Sequence, residues 1–469
     1  MLRNLKEDEK SFRKAVEEET LESLLFPTIT ELFDNLVEAH STTFDWIFRH
    51  HTEAEIQTGN LKTMSNFPKW LEDGAVIYWI SGKAACGKST LMKYICTNTQ
   101  TRCCLQKWAN SSPIETHLYV ASFYFWMSGT REQKSQLGLM KTLLYGVLKQ
   151  NPKLIPVAFP IQWSTKYTGK LENENSSVVS QLPHSFSSLC LILSSGISFS
   201  ERGTWSLSQL QTGFGSLLQQ DHIPLKLCLF IDGLDEYEGD EHEIAELFGE
   251  ISRSLYVKFC VSSRLHLVFQ DAFQGLAGQR LEDLTYPDIE RYVTDNLQHD
   301  PRMQRLAIIE PEETPKLIRE IVTYADGVFL WVKLVVVSLL KGLGNHDQIS
   351  DLRSRLNSLP RDLEQLYQLM ILRVDESYRN EASRIFQLVA TAAEKIPDNW
   401  YSVCPLTILG LALAEEKDLN MVITAHVNCL SLHEANSLCE MMRHRVTTGC
   451  GGLLEVQRPL SDQNLNWTL

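Results

Sequence analysis

Val76-Ile77-Tyr78-Trp79-Ile80-Ser81-Gly82-Lys83-Ala84-Ala85-Cys86-Gly87-Lys88-Ser89-Thr90 decides the reading of this chain. An apolar run of strand type empties into Gly82-x-x-x-x-Gly87-Lys88-Ser89, and the helical pattern Leu91-Met92-Lys93-Tyr94-Ile95 follows at once. The two glycines allow a tight turn whose backbone N–H groups converge on phosphate oxygens, and the helix behind it adds its positive N-terminal end. The loop from Gly82 through Lys83, Ala84, Ala85, Cys86 and Gly87 to Lys88, Ser89 and Thr90 is therefore the candidate nucleotide-binding element, a P-loop between strand and helix. Lys88 is placed to reach the β- and γ-phosphates, and the Ser89 hydroxyl to ligate Mg²⁺.

Working outward, Leu225-Lys226-Leu227-Cys228-Leu229-Phe230-Ile231-Asp232 reads as a buried strand that delivers a carboxylate to the carboxyl edge of a sheet, where ligands of such folds sit. Beside a P-loop this is a Walker B element. Asp232 would hold Mg²⁺ through its water, and Asp235 and Glu236 just after it could orient or deprotonate an attacking water. Glu236 is the expected base; Asp235 either shares that work or orders the turn. The strand Val257-Lys258-Phe259-Cys260-Val261-Ser262 ends in Ser263-Arg264, where a guanidinium either stabilises phosphate charge or pairs with a surface acid. His117 to Trp126 is a nearly continuous apolar run, and Arg280 to Leu284 reads as a last short strand. Five strands interleaved with helices predict an α/β fold with a parallel, helix-covered sheet. Polar Ser164 to Leu182 reads as an exposed loop, and Ser41-Thr42-Thr43 as the cap of a helix holding Phe44, Trp46, Ile47 and Phe48.

A length of 469 residues predicts several domains, and a net charge of −14 argues against a surface that coats nucleic acid. The N-terminus is charged from the start, without the apolar core of a secretory signal, so a cytoplasmic location is expected. Eleven cysteines with no Cys-x-x-Cys pair read as reduced thiols. The longest apolar run, Val328 to Leu340, contains Lys333 and is too short to cross a bilayer, so it reads as a buried helix. Cys86, inside the phosphate loop, raises two readings: a small side chain tolerated there, or a thiol acidified by N–H groups and open to oxidation.

Trp79-Ile80-Ser81-Gly82-Lys83, Asp232-Gly233-Leu234-Asp235-Glu236, Ser262-Ser263-Arg264 and Leu284-Thr285-Tyr286-Pro287-Asp288-Ile289 together resemble the NACHT class of signal-transducing P-loop NTPases (the STAND group), and more narrowly its fungal branch with a nephrocystin-3-like N-terminal domain. Thr43-Phe44-Asp45-Trp46 and Phe123-Tyr124-Phe125-Trp126-x-Ser128-Gly129 resemble the same group. The resemblance, over roughly residues 25 to 455, implies a helical N-terminal segment (1–65), a P-loop NTPase domain (66–292), a small helical domain (293–355) and a partial, shortened winged-helix domain (356–469). It implies an NLR-like switch that binds Mg²⁺ with ATP or GTP, hydrolyses it weakly, and works through protein partners or nucleotide-dependent homo-oligomers. Fungal relatives are associated with non-self recognition and cell death. No Asn-Lys-x-Asp guanine-reading element occurs, which favours ATP. In the helical domain Phe329 stands where related switches often carry proline. Gly451 to Val456 would be the first wing strand, and His444 reads as an exposed helix histidine. Two other classes stay open: a catalytically silent scaffold, and a motor ATPase or kinase with steady turnover.

Overall fold

Leu225–Asp232 is buried at every position, and so is Val257–Ser263. Strands with both faces covered need helices on each side, and the sheet of this computed structural model has them. The structure describes residues 2–26, 28–29, 31–36, 38–40, 43–49, 66–74, 76–111, 116–127, 129–173, 205–220, 223–252, 254–372, 374, 376–394, 406–415, 431–450 and 453–454. They fall into two compact units, Met1–Asp288 and Ile289–Leu469.

In the first unit β1 (Ile77–Ser81), β2 (His117–Tyr124), β3 (Leu225–Asp232), β4 (Val257–Ser263) and β5 (Ala277–Arg280) form one parallel sheet in the order β2-β3-β4-β1-β5. Its helices are α1 (Leu2–Leu24), α2 (Glu31–Asn35), α3 (Phe67–Asp73), α4 (Lys88–Thr97), α5 (Thr99–Asn110), α6 (Gln136–Gln150), α7 (Ile155–Ala158), α8 (Pro160–Asn173), α9 (Leu207–Gln219), α10 (Glu241–Ile251) and α11 (Leu267–Phe273). Alternation along the strands sorts the core into two halves. Leu227, Leu229, Ile231, Phe259 and Val261 pack with Leu143, Val147 and Phe214 of α6 and α9. Tyr78, Cys228, Phe230 and Cys260 pack on the other face with Leu91, Ile95, Leu105 and Trp108 of α4 and α5.

Three local expectations need correction. Residues 160–173 are helix α8, not loop; the remainder of the expected loop, 174–182, lies outside the described residues. Its polarity is that of an amphipathic helix: Trp163 stacks with Tyr167 one turn on, Arg13 of α1 lies 5.8 Å over the Trp163 ring, and Lys166 pairs with Glu19 at 3.2 Å. The last strand is Ala277–Arg280, a few residues earlier than expected, because Gly278 lets the backbone approach β1: a Cβ there would sit 2.2 Å from the Trp79 carbonyl. Leu281–Asp283 is instead a 3₁₀ turn with Leu281 buried. Asp45–Phe48 is likewise one 3₁₀ turn, entered through Phe44 in the left-handed region (φ 71°) with no side-chain cap. Ser41 and Thr42 lie outside the described residues.

The second unit is helical where described. The first turn of α12 (Tyr286–Gln298) crosses its boundary, and α13 (Pro301–Ile309), α14 (Glu313–Ala325), α15 (Phe329–Gly344), α16 (Ile349–Asn357) and α17 (Leu363–Leu372) follow. Their core centres on fully buried Trp331, whose Nε1–H donates to the Pro360 carbonyl at 2.7 Å. Phe329 packs against Tyr292, ring centroids 5.1 Å apart. Helices α18 (Glu376–Glu394), α19 (Ile408–Ala414) and α20 (Leu432–Gly449) share a second cluster around Ile385, Leu411 and Met442. The apolar run from Val328 is α15, as expected of a buried helix, and no described helix is long and apolar enough to cross a membrane. His444 is exposed on α20, 3.8 Å from Glu440. Apart from Leu453 and Leu454, the expected wing strand lies outside the described residues.

Candidate functional site

Gly87 caps α4 with φ 103°, a conformation that a side chain resists, and Ala85 two residues earlier is held at φ 59°. A left-handed alanine costs about 1–2 kcal/mol, so the loop carries backbone strain where it must curl. Gly82 has a different reason to lack a side chain: a Cβ would lie 2.8 Å from both Cys86 Sγ and Glu282 Oε2. Inside this curl the Lys88 ammonium donates to the carbonyls of Gly82 (3.0 Å) and Lys83 (2.9 Å). The lysine thus folds back across its own loop at the start of α4, with Ser89 and Thr90 in the first helical turn.

Asp232 stands opposite. Its strand is not the neighbour of β1; β4 lies between them. The gap is bridged by a hydroxyl: Ser262 of β4 donates to Asp232 Oδ1 and accepts from the Gly233 N–H at 3.0 Å, while the Ser89 hydroxyl favours the charged form of the same carboxylate from the head of α4. Burial pushes the Asp232 carboxyl up, while the two hydroxyls and Lys88 oppose that shift. A hydroxyl and a carboxylate side by side at the N-terminus of a helix are hard oxygen donors of the kind Mg²⁺ takes, in the small number it uses when phosphates and water complete its shell.

The two acids that follow face different partners. Asp235 is turned to Arg264, accepting from its backbone N–H at 2.8 Å and from its Nε at 3.0 Å. Glu236 instead accepts from the Met127 N–H at 2.9 Å through Oε2. Burial raises the Glu236 carboxyl, the Met127 N–H lowers it, and Asp235, Asp232 and Arg264 act on it from nearby. Of the predicted site residues, Lys88, Ser89 and Asp232 converge; Asp235 and Arg264 are engaged with each other.

Of the two readings of Cys86, the structure favours the small side chain tolerated in the loop. Its thiol is 1% exposed and packs into the α4 face of the core, where burial pushes it up to about 11. Several participants lie in the stretches that carry the resemblance, where sequence gives them no role. Phe44 lies against the phosphate loop, its Cζ 3.6 Å from where a Gly87 Cβ would stand, and its N–H and the Trp46 Nε1–H both donate to buried Asp288 (3.2 and 2.8 Å). The Met127 amide is silent in sequence, since a backbone N–H has no residue code, and Ser262 is there only a motif residue, with nothing to mark its hydroxyl as the bridge to Asp232.

The fold is that of a P-loop NTPase. The profile of the family described as Nephrocystin 3, N-terminal, matches residues 58–182 and 166–264, which hold Lys88, Ser89, Asp232, Asp235, Glu236 and Arg264 but not Phe44, Trp46 or Asp288. A second profile, a Domain of unknown function (DUF7791), matches residues 373–468. Among solved structures the chain is similar to one in "Structure of Drosophila ORC bound to DNA", at 12% identity, 93% coverage of this chain, 94% of that one and a TM-score of 0.32, too distant to assign a ligand. No curated protein matches the chain.

Proposed function

We propose that the first unit binds a nucleoside triphosphate with Mg²⁺, ATP in preference to GTP, and hydrolyses it slowly as the control element of a conformational switch. One observation carries this reading: Ser89 at the head of the phosphate-loop helix and Lys88 beside it both act on the carboxylate of Asp232 at the end of a buried strand. Loop N–H groups and the α4 N-terminus offer a cradle for phosphate oxygens, and Lys88 would trade its two carbonyl contacts for them. Ser89 and Asp232 would hold Mg²⁺, which supplies charge neutralisation between β- and γ-phosphates. Glu236 would orient a water and take its proton, with Oε1 free for that role while Oε2 is held. The NLR-like signalling role, with homo-oligomers as its output, rests on the family resemblance.

A second reading, a nucleotide-holding scaffold without turnover, is favoured by the Asp235–Arg264 pair, which engages the arginine expected to meet a γ-phosphate. Equilibrium binding of ATP and GTP, single-turnover hydrolysis and gel filtration under ADP and ATP separate the two. The switch predicts retained ATP, turnover well below one per second and a nucleotide-dependent change in size. Lys88→Ala should abolish retention, and Glu236→Gln should retain ATP uncleaved. A wild-type chain that holds neither nucleotide would sink both readings.

A further inference from the structure

The amide that holds Glu236 belongs to Met127, 109 positions away, and the residue just before it, Trp126, is held in turn by Gln133. Gln133 is 3% exposed. Its carbonyl accepts from the Trp126 N–H at 3.1 Å, its Oε1 accepts from the Thr130 N–H at 2.8 Å, and its Nε2 donates to the Thr28 carbonyl at 3.1 Å. The Thr28 and Thr130 hydroxyls lie 3.2 Å apart. Gly129 passes so close that a Cβ would sit 2.5 Å from Gln133 Oε1. Either end of this stretch is pinned to the loop that carries the acids: the Phe125 N–H donates to the Asp232 carbonyl at 3.0 Å and the Glu238 N–H to the Lys134 carbonyl at 2.9 Å. One amide side chain therefore ties the turn after α1 to the segment that fixes Glu236. A cavity of about 270 Å³ borders that tie, lined in part by Phe26, Thr28, Phe33 and Gln133, so the turn is not packed on every side.

We infer that Gln133 is a positioning residue for Glu236: it holds the Met127 N–H against one carboxylate oxygen, leaves the other for water, and makes that alignment depend on the N-terminal segment through Thr28. The inference rests on the proposed hydrolysis. A donated N–H fixes the direction of a carboxylate and favours its ionised form, and a general base needs both. Loss of the tie lets Met127 drift, and misplacement of a reacting group on the scale of an ångström is expensive in rate.

The test is single-turnover ATP hydrolysis and ATP binding by the full chain as wild type, Gln133→Leu, Thr28→Val, Glu236→Gln, Gln133→Leu/Glu236→Gln and Thr28→Val/Glu236→Gln. Gln133→Leu should slow hydrolysis roughly tenfold to a hundredfold with ATP affinity changed less than about twofold, and Thr28→Val should slow it by a few-fold. On the Glu236→Gln background neither substitution should slow it further, since the group they align is gone. Wild-type rates in both single variants, or the full rate loss repeated on Glu236→Gln, would overturn the inference while leaving the nucleotide site standing. If Gln133→Leu does not fold, the closer isostere Gln133→Met, alone and on Glu236→Gln, decides by the same comparison, since it too removes the bonds to Thr130 and the Thr28 carbonyl. A wild-type chain that binds ATP but never cleaves it would instead overturn the hydrolysis on which this rests.

Discussion

Lys258 and Lys226 are each the second residue of a buried strand, 2% and 6% exposed, with no carboxylate at bonding distance among the described residues. What they meet is helix ends. Lys258 Nζ donates to the carbonyls of Trp70 (2.6 Å) and Gly74 (2.8 Å) at the C-terminus of α3, and Lys226 Nζ to the Trp108 carbonyl near the end of α5. A cation there adds a donor to the Trp70 and Trp108 carbonyls, which the Gly74 and Ser111 N–H groups only partly satisfy, and it meets the negative end of each helix dipole. The Trp70 and Trp108 rings face Lys258 at 5.1 and 5.0 Å, adding cation–π attraction. Burial still pulls Lys258 down to about 8, with Lys226 pushing the same way and Cys228 and Asp73 opposing. Below that pH the charged amine is carried in both the folded and the unfolded chain, so its burial cost is fully present. Between about 8 and the unfolded value near 10.5 the unfolded chain binds more protons, and this lysine's contribution to stability rises. The difference in unfolding free energy between wild type and Lys258→Met should therefore shift in favour of the wild type from pH 7 to 10; a difference that stays flat refutes the assignment. Comparing the pair cancels the buried thiols, which weaken the fold at alkaline pH in both proteins.

Elements show how far local signals reach. The strand, turn and helix around Gly82–Lys88 form as read, because glycine positions and apolar periodicity are properties of the segment itself. Helix α8 was hidden: its apolar side is little more than Trp163 and Tyr167, and a helix supported by α1 looks polar in sequence. Helix α9 is set by its own first turn, where Ser206 Oγ accepts from the Gln209 N–H (3.2 Å) and Gln209 Oε1 accepts from the Ser206 N–H (3.0 Å). Such a box is worth about 1 kcal/mol. Ser206→Ala should lower the stability of the first unit by about that amount in urea unfolding, and Ser206→Asp should restore most of it. No change for Ser206→Ala would mean that packing of Leu210, Phe214 and Leu217 alone holds the helix.

At the scale of the whole molecule, each unit owns its core: the sheet with its two apolar faces in the first, the Trp331 cluster and the Ile385–Met442 cluster in the second. Two cores predict two calorimetric transitions. Trp331→Ala should lower one of them by the equivalent of about 3–5 kcal/mol. ATP with Mg²⁺ at roughly a hundred times its dissociation constant should raise the other by about 2.7 kcal/mol, in wild type and in Trp331→Ala alike. If Trp331→Ala removes the ATP-induced shift, nucleotide stabilisation does not belong to the first unit alone.

Sequence by itself determined the phosphate loop, the acid-tipped strand and the parallel α/β class, because these follow from short-range backbone geometry and from the need to cover a strand on both faces. Tertiary structure alone decided that β4 stands between the loop strand and the acid strand, that Ser262 bridges the interval, that Asp235 turns to Arg264, and that Met127, Gln133 and Thr28 stand behind Glu236. Parallel crossovers bring together residues separated by tens to hundreds of positions, and hydrogen bonds to main-chain atoms are written in no residue type. Periodicity records what each strand must bury, whereas partnership across a sheet depends on strand order, which only the folded chain sets.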